Sequence, residues 1–324
     1  GSAFRGGDEF DDITHFHLLI DPPRDGIFGV LRPETGDSQP PDWVPGDVTS
    51  YTSIHWNFEA TYDNVGRILE NFQGPEPLKR LVEEPLEKEF GIDLREEVLT
   101  NVTGRYVSCR WIQPPVKLNS QVQLHALEVT DALAVKAAIA KIRERKPNAL
   151  DVDTVGGNIV YLGRRGGRGG DQFPQGLRRP EPCFMLLGNW VIFSDSRTFI
   201  ERITRANTKA LPRLINVPEY ELISSELGGK LDGEKPFLVS FLRGADYIRQ
   251  MYDLSQSDDS KRFLRTAGEN NPVAKKIADL LQRNELPPFE DFEKYFAPSG
   301  TFAYDEPSGI HMGSFTLKGD TTAP

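Results

Sequence analysis

Period-two alternation of apolar residues, recurring along the chain, restricts its fold more than any other feature. Ile54, Trp56 and Phe58 share a phase in SYTSIHWNF (50–58), and Val107, Cys109 and Trp111 share one in GRYVSCRW. Val122, Leu124 and Ala126 do so in SQVQLHALEVT, and Phe237, Val239 and Phe241 in KPFLVSFLRG. Successive strand residues point to opposite faces, so these stretches read as strands with one face in a core. Sheets with one covered face are typically antiparallel. LDVDTVGGNIVYLG and PCFMLLGNWVIFS read as hairpins, because Gly-Gly-Asn and Gly-Asn supply tight turns. A third hairpin crosses Asp305–Gly309.

Between the strands the apolar spacing changes to three and four. Tyr62, Val65, Ile68, Leu69 and Phe72 predict a helix over about 60–72. Val135, Ala138, Ile139 and Ile142 predict one over about 131–145, capped by Asp131 or Thr130. Further helical stripes are Phe199, Ile200 and Ile203; Tyr247, Ile248, Met251 and Tyr252; and Val273, Ile277, Leu280 and Leu281, the last with Pro272 early in its helix. Pro77 and Pro85 punctuate two shorter helical pieces.

The order strand–helix–strand–strand thus occurs three times. The fold class expected is α+β: repeated strand-helix-strand-strand units forming antiparallel sheets with helices packed on one face. Residues 1–48 form an N-terminal strand and a Pro/Gly-rich connection. The three units span 49–118, 119–232 and 233–324, the second carrying an Arg/Gly-rich loop at 163–180.

Bulk composition narrows function only by exclusion. With 48 acidic against 38 basic residues among 324, the net charge is −10, which opposes general nucleic-acid binding. No apolar run is long enough for a membrane-spanning helix. Cys109 and Cys183 sit in apolar alternating runs and are expected as buried thiols, with one long-range disulfide as the alternative.

Each candidate site also has a simpler structural role. Ser194-Asp195-Ser196 joins a strand to a helix without the G-x-S-x-G pattern that exposes a hydrolase serine, so a helix-capping role is expected. Thr198-Phe199-Ile200-Glu201 matches a capping box. His15 and His17 point to one face of a strand; no third ligand has recognisable spacing, although Asp11, Asp12 and Asp21 are candidates, and a polar exposed face is expected. His55 and His125 are expected to face solvent, and His311 has no evident partner in the sequence. Asp151 and Asp153 lack the closing glutamate of a calcium loop, because Leu162 stands in its place. Glu290, Asp291 and Glu293 could serve glycoside hydrolysis, but a helix start explains them better. Asn101-Val102-Thr103 is a formal glycosylation sequon. The compositional anomaly is GRRGGRGGDQFPQGLRRP, where Arg164, Arg165, Arg168, Arg178 and Arg179 could contact a phosphate, sulfate or carboxylate polymer. A solvated loop insertion is the plainer account.

The stretches GIDLREEVLTNVTGRYVS, LLGNWVIFSDSRTFIERI and LPPFEDFEKYFAPSGTFAYDEPSGIHMGSFTL resemble segments of a family of large exported bacterial proteins known as a domain of unknown function. The shared pattern is a glycine-centred hairpin before a helix, here Gly188-Asn189 before Thr198–Ala206, and the turn Pro298-Ser299-Gly300 before the last hairpin. The likeness runs over residues 50–318. It implies export to the periplasm or cell envelope and a preceding N-terminal half, and it transfers no active-site residue.

No H-E-x-x-H, C-x-x-C, G-x-x-x-x-G-K-[ST] or G-x-G-x-x-G occurs, so zincin, thioredoxin-like, P-loop and dinucleotide chemistries are disfavoured. The expectation is a non-enzymatic exported protein that binds or scaffolds at the envelope. No catalytic residue, cofactor or metal ligand is assigned, and its partner would be an envelope protein or an anionic polymer. Two alternatives stand beside it: a hydrolase whose carboxylates or Ser/His converge only in space, and an anion-binding module built on the arginine loop.

Overall fold

The computed structural model describes residues 2–5, 10–24, 26–117, 119–163, 177–257, 261–262, 265–266, 268–269, 271–283 and 287–319. Arg164, Arg165 and Arg168 lie outside these residues. Among those described, twelve strands form one antiparallel sheet. They are β1 (Ser2–Arg5), β2 (Phe10–Leu19), β3 (Ser50–His55), β4 (Val102–Ile112), β5 (Gln121–Val129) and β6 (Leu150–Val155). The others are β7 (Asn158–Gly163), β8 (Cys183–Leu187), β9 (Trp190–Ser194), β10 (Leu238–Leu242), β11 (Ser299–Glu306) and β12 (Gly309–Leu317). Their order is β1-β2-β12-β11-β10-β3-β4-β5-β9-β8-β7-β6. The turn between β6 and β7 is the expected one, with Gly156 and Gly157 at φ of 54° and 82°.

Connectivity places β3 and β10 side by side at the centre. Each is followed by a helical excursion and then by a hairpin whose first strand pairs with it: β3 with β4–β5, and β10 with β11–β12. The middle unit differs in space, because β6 sits at the far edge of the sheet and does not pair with β5. The N-terminal β2 joins the opposite half by pairing with β12.

One face of the sheet holds the main core. Tyr51, Val107, Cys109, Val122, Leu124, Met185, Ile192, Phe241, Phe302 and Phe315 all point into it. Helices α4 (Arg197–Asn207) and α5 (Pro218–Leu231) cover this face. Phe199, Ile200 and Ile203 of α4 are fully buried, each contributing roughly 1.5–3 kcal/mol by leaving water. From α5, Tyr220 packs edge-on against Tyr51 and Phe241, with ring centroids 6.3 and 5.6 Å away.

Helices lie on the other face as well, which differs from the single covered face expected. There α3 (Ala132–Arg145) turns Val135, Ala138 and Ile142 toward Leu127 and Val191 of β5 and β9. The phase of β3 also differs from the one expected. Its core residues are Tyr51, Ser53 and His55, whereas Ile54 lies on the second face. His55 is therefore buried, not solvent-facing, and donates from Nε2 to the Asp37 carbonyl at 2.9 Å. Arg105, opposite it on β4, is also buried, lies over the Trp190 ring and donates to the Gln39 carbonyl. Among the described residues, other helices include α1 (Phe58–Gln73), α2 (Glu84–Phe90), α6 (Gly244–Gln256), α7 (Pro272–Arg283) and α8 (Glu290–Glu293). Phe72, placed in the apolar stripe of α1 by its spacing, is instead 81% exposed.

Cys109 and Cys183 are free thiols. They lie in one cross-strand row on β4 and β8, with Leu124 and Ser194 between them. Three strand spacings put them roughly 14 Å apart, beyond the span of a disulfide. Burial pushes both thiols up, Cys183 to about 12.

Candidate metal centre

Strand β2 projects Ile13, His15 and His17 to the α5-covered side of the sheet, and β12 projects His311, Gly313 and Phe315 to the same side. Register sets His17 opposite His311, and His15 opposite Gly313. Tyr304 of β11 stands on the other side of His311 and stacks on its ring, with centroids 4.8 Å apart and planes within 11°. Gly313 has a spatial reason. A Cβ there would come within 2.2 Å of the Phe302 ring, so glycine lets that ring lie across β12 at the position opposite His15.

Glu306 ends β11 and reaches back over the same face. Its carboxylate pairs with His17 Nε2 and accepts from the Ser308 hydroxyl at 3.2 Å. The turn that carries it is clamped by Arg24. That guanidinium pairs with Asp305 at 2.5 Å and donates to the carbonyls of Glu306 and Gly309 at 3.1 and 3.3 Å.

His17, Glu306 and His311 each offer a ligand atom within 4.8 Å of the other two. Donors held about 2 Å from one tetrahedral zinc ion lie roughly 3.3 Å apart, so these side chains would draw closer together to share one. All three are half-buried, so an ion here would be partly desolvated yet reachable from solvent. His15 Nδ1 lies 3.0 Å from His311 Nε2, so one ring must donate its proton to the other. Burial, with His15 and His17 alongside, holds the His311 imidazole below its usual range, against the opposing pull of Glu306.

The remaining candidates occupy structural roles. Ser196 caps α4, accepting from the Phe199 amide at 3.1 Å and donating to Gln113 at 2.6 Å. The cap thus lies two residues before Thr198, and the proposed Thr198–Glu201 box does not form the helix start. Ser194 donates to the Gln123 carbonyl at 2.8 Å. Asp131 caps α3 as expected, accepting from the Leu133 and Ala134 amides. His125 is exposed and lies 2.5 Å from the Tyr106 hydroxyl.

Glu290 and Glu293 pair with Arg249 rather than with each other, and Asp153 pairs with Arg197. Arg178 corrects the arginine-loop expectation. It is buried, binds the Asp195 carboxylate, and donates to the Asp195 carbonyl at 2.8 Å and the Asn119 carbonyl at 3.3 Å. Its donors are spent inside the fold. Arg179 is exposed.

Sequence spacing could bring out only His15 and His17. Their partners lie about 290 residues away and become neighbours through the β2–β12 register. A weak signal was available: His311 and Gly313 repeat the two-residue step of His17 and His15 on another strand.

Compared with known proteins, the chain matches no family model, no curated protein and no solved structure. No described helix is long and apolar enough to cross a membrane.

Proposed function

We propose that this protein works by binding, and that its site is a divalent transition-metal centre formed by His17, His311 and Glu306, with His15 orienting His311. The observation that carries this is the convergence of two imidazoles and a carboxylate from three adjacent strands, with their ligand atoms within 4.8 Å of one another. Two nitrogens and one oxygen suit zinc and its neighbours in the first transition row better than magnesium or calcium, which prefer oxygen alone. Three protein donors leave a tetrahedral ion one position for water or an external ligand.

A binding role rather than catalysis is supported by the engagement of Ser194, Ser196, Glu290 and Glu293 in capping and ion pairing. Placement at the bacterial cell envelope is part of this reading and is supported by the family resemblance alone. We also read β3–β5 and β10–β12, with their intervening helices, as copies of one unit, on the strength of their matching connectivity.

Competitive zinc titration tests the site. One ion per chain is expected, with affinity lowered at least tenfold by His311→Ala and by His17→Ala and unchanged by His125→Ala. Equal affinity in all four proteins would overturn the assignment.

A further inference from the structure

An apolar slot of about 420 Å3 lies between α3 and the second face of the sheet, away from the histidines of the metal centre. Val135, Ala138 and Ile142 form its helix wall, and Leu127, Val191 and Phe193 its sheet wall. These residues face each other across the gap, yet Phe193 remains 42% exposed and the other five are only half-buried. Apolar walls that face a gap lack the contacts a packed interior supplies.

The slot shares Leu150, Phe184 and Phe193 with an adjoining cavity of about 500 Å3. That second cavity is lined in part by Gln121, Gln123 and His125. Its wall is still mostly apolar, and strand register sets these three polar side chains beside the aromatic ones. Tyr161, Phe184, Phe193 and His125 form one cross-strand row, whose first three rings stand 4.9 and 5.5 Å apart. The carboxylate in its lining, Asp195, is already paired with Arg178.

We infer that this paired cavity is a binding site for an amphiphile with one apolar chain and an uncharged, hydrogen-bonding head. The chain lies between α3 and the sheet, and the head lies beside Gln121, Gln123 and His125. The slot has the volume and apolar lining of a small-molecule site. Both of its walls come from this protein, which leaves no room for a partner helix about 10 Å across. The charge balance at the polar end favours a hydroxyl or amide head over a carboxylate or phosphate.

The test uses the full chain with N-phenyl-1-naphthylamine as a fluorescent probe and 1-monolauroylglycerol as competitor. Saturable probe binding at one site per chain is expected, with displacement by 1-monolauroylglycerol. Ala138→Phe, which fills the slot, should weaken both at least tenfold with circular dichroism and melting temperature retained. Ala149→Leu, at another lining position, decides the matter if the first variant does not fold. Absence of saturable binding, or undiminished binding in a folded filled-slot variant, overturns the site. Displacement by laurate as strong as by 1-monolauroylglycerol overturns the uncharged head. A zinc titration is a separate readout, so the metal centre and this site stand or fall independently.

Discussion

His15 and His311 are 296 residues apart in the chain, yet His15 Nδ1 lies 3.0 Å from His311 Nε2. The contact exists because β2 is added to the sheet beside the C-terminal β12. It gives the two imidazoles different duties, since a ring that orients a ligand is less costly to remove than the ligand itself. Side chains that hydrogen-bond to metal ligands typically contribute about 10–100-fold in affinity. His15→Ala should therefore lower zinc affinity by about 10-fold, less than His311→Ala does. Side-by-side competition titrations check the ranking, and an equal loss in the two variants would count against it.

Ser196 gives a prediction on stability. Its hydroxyl caps α4 and also donates to Gln113. Ser196→Ala should cost about 1–2 kcal/mol, measured as a lower denaturant midpoint, while zinc affinity stays the same. Thr198→Ala should cost less, because Thr198 is not the capping residue.

The arginine tract yields a contrast between two kinds of role. Arg178→Ala removes donors to Asp195 and Asn119 from a buried position. Hydrogen bonds to charged groups each contribute about 1.5–3 kcal/mol. Asp195 is partly exposed and can recover water, so a total near 2 kcal/mol is expected. Retention on a polyanion resin should be unaltered by this substitution. Reduced retention of the folded variant would restore Arg178 as an anion contact.

Burial of the cysteines makes stability depend on alkaline pH. The folded Cys183 thiol titrates at about 12, against an ordinary value of 9.0, and Cys109 is raised in the same direction. Tyr220 is raised to about 12 from 10.0. The folded chain keeps protons that the unfolded chain releases, so stability is full below pH 9 and declines as pH rises toward 12. Denaturant midpoints across that window should fall, and Cys183→Ala should flatten part of the decline. Below pH 9 neither thiol should react with a disulfide reagent in the native protein, and both should react in denaturant.

Much of the architecture was legible because it rests on local physics. The period-two runs became strands, the Gly-Gly-Asn and Gly-Asn turns became hairpins, and Asp131 capped its helix. What was not legible depended on which strands are neighbours. Nothing near Ile54 in sequence reveals that Tyr51, Ser53 and His55 take the core phase of β3, so the expectation that His55 faces solvent fails. Nothing near His17 reveals that β12 lies beside it. The bonding of Arg178 to Asp195 likewise joins a glycine-rich tract to a strand–helix joint that local pattern treats as unrelated.

X-ray absorption at the zinc edge of the zinc-loaded protein tests the central claim most directly. A first shell of nitrogen and oxygen with imidazole scattering is predicted, and that imidazole signal should disappear in the His17→Ala/His311→Ala double variant. Sulfur in the first shell, or the same imidazole signal in the double variant, would contradict it.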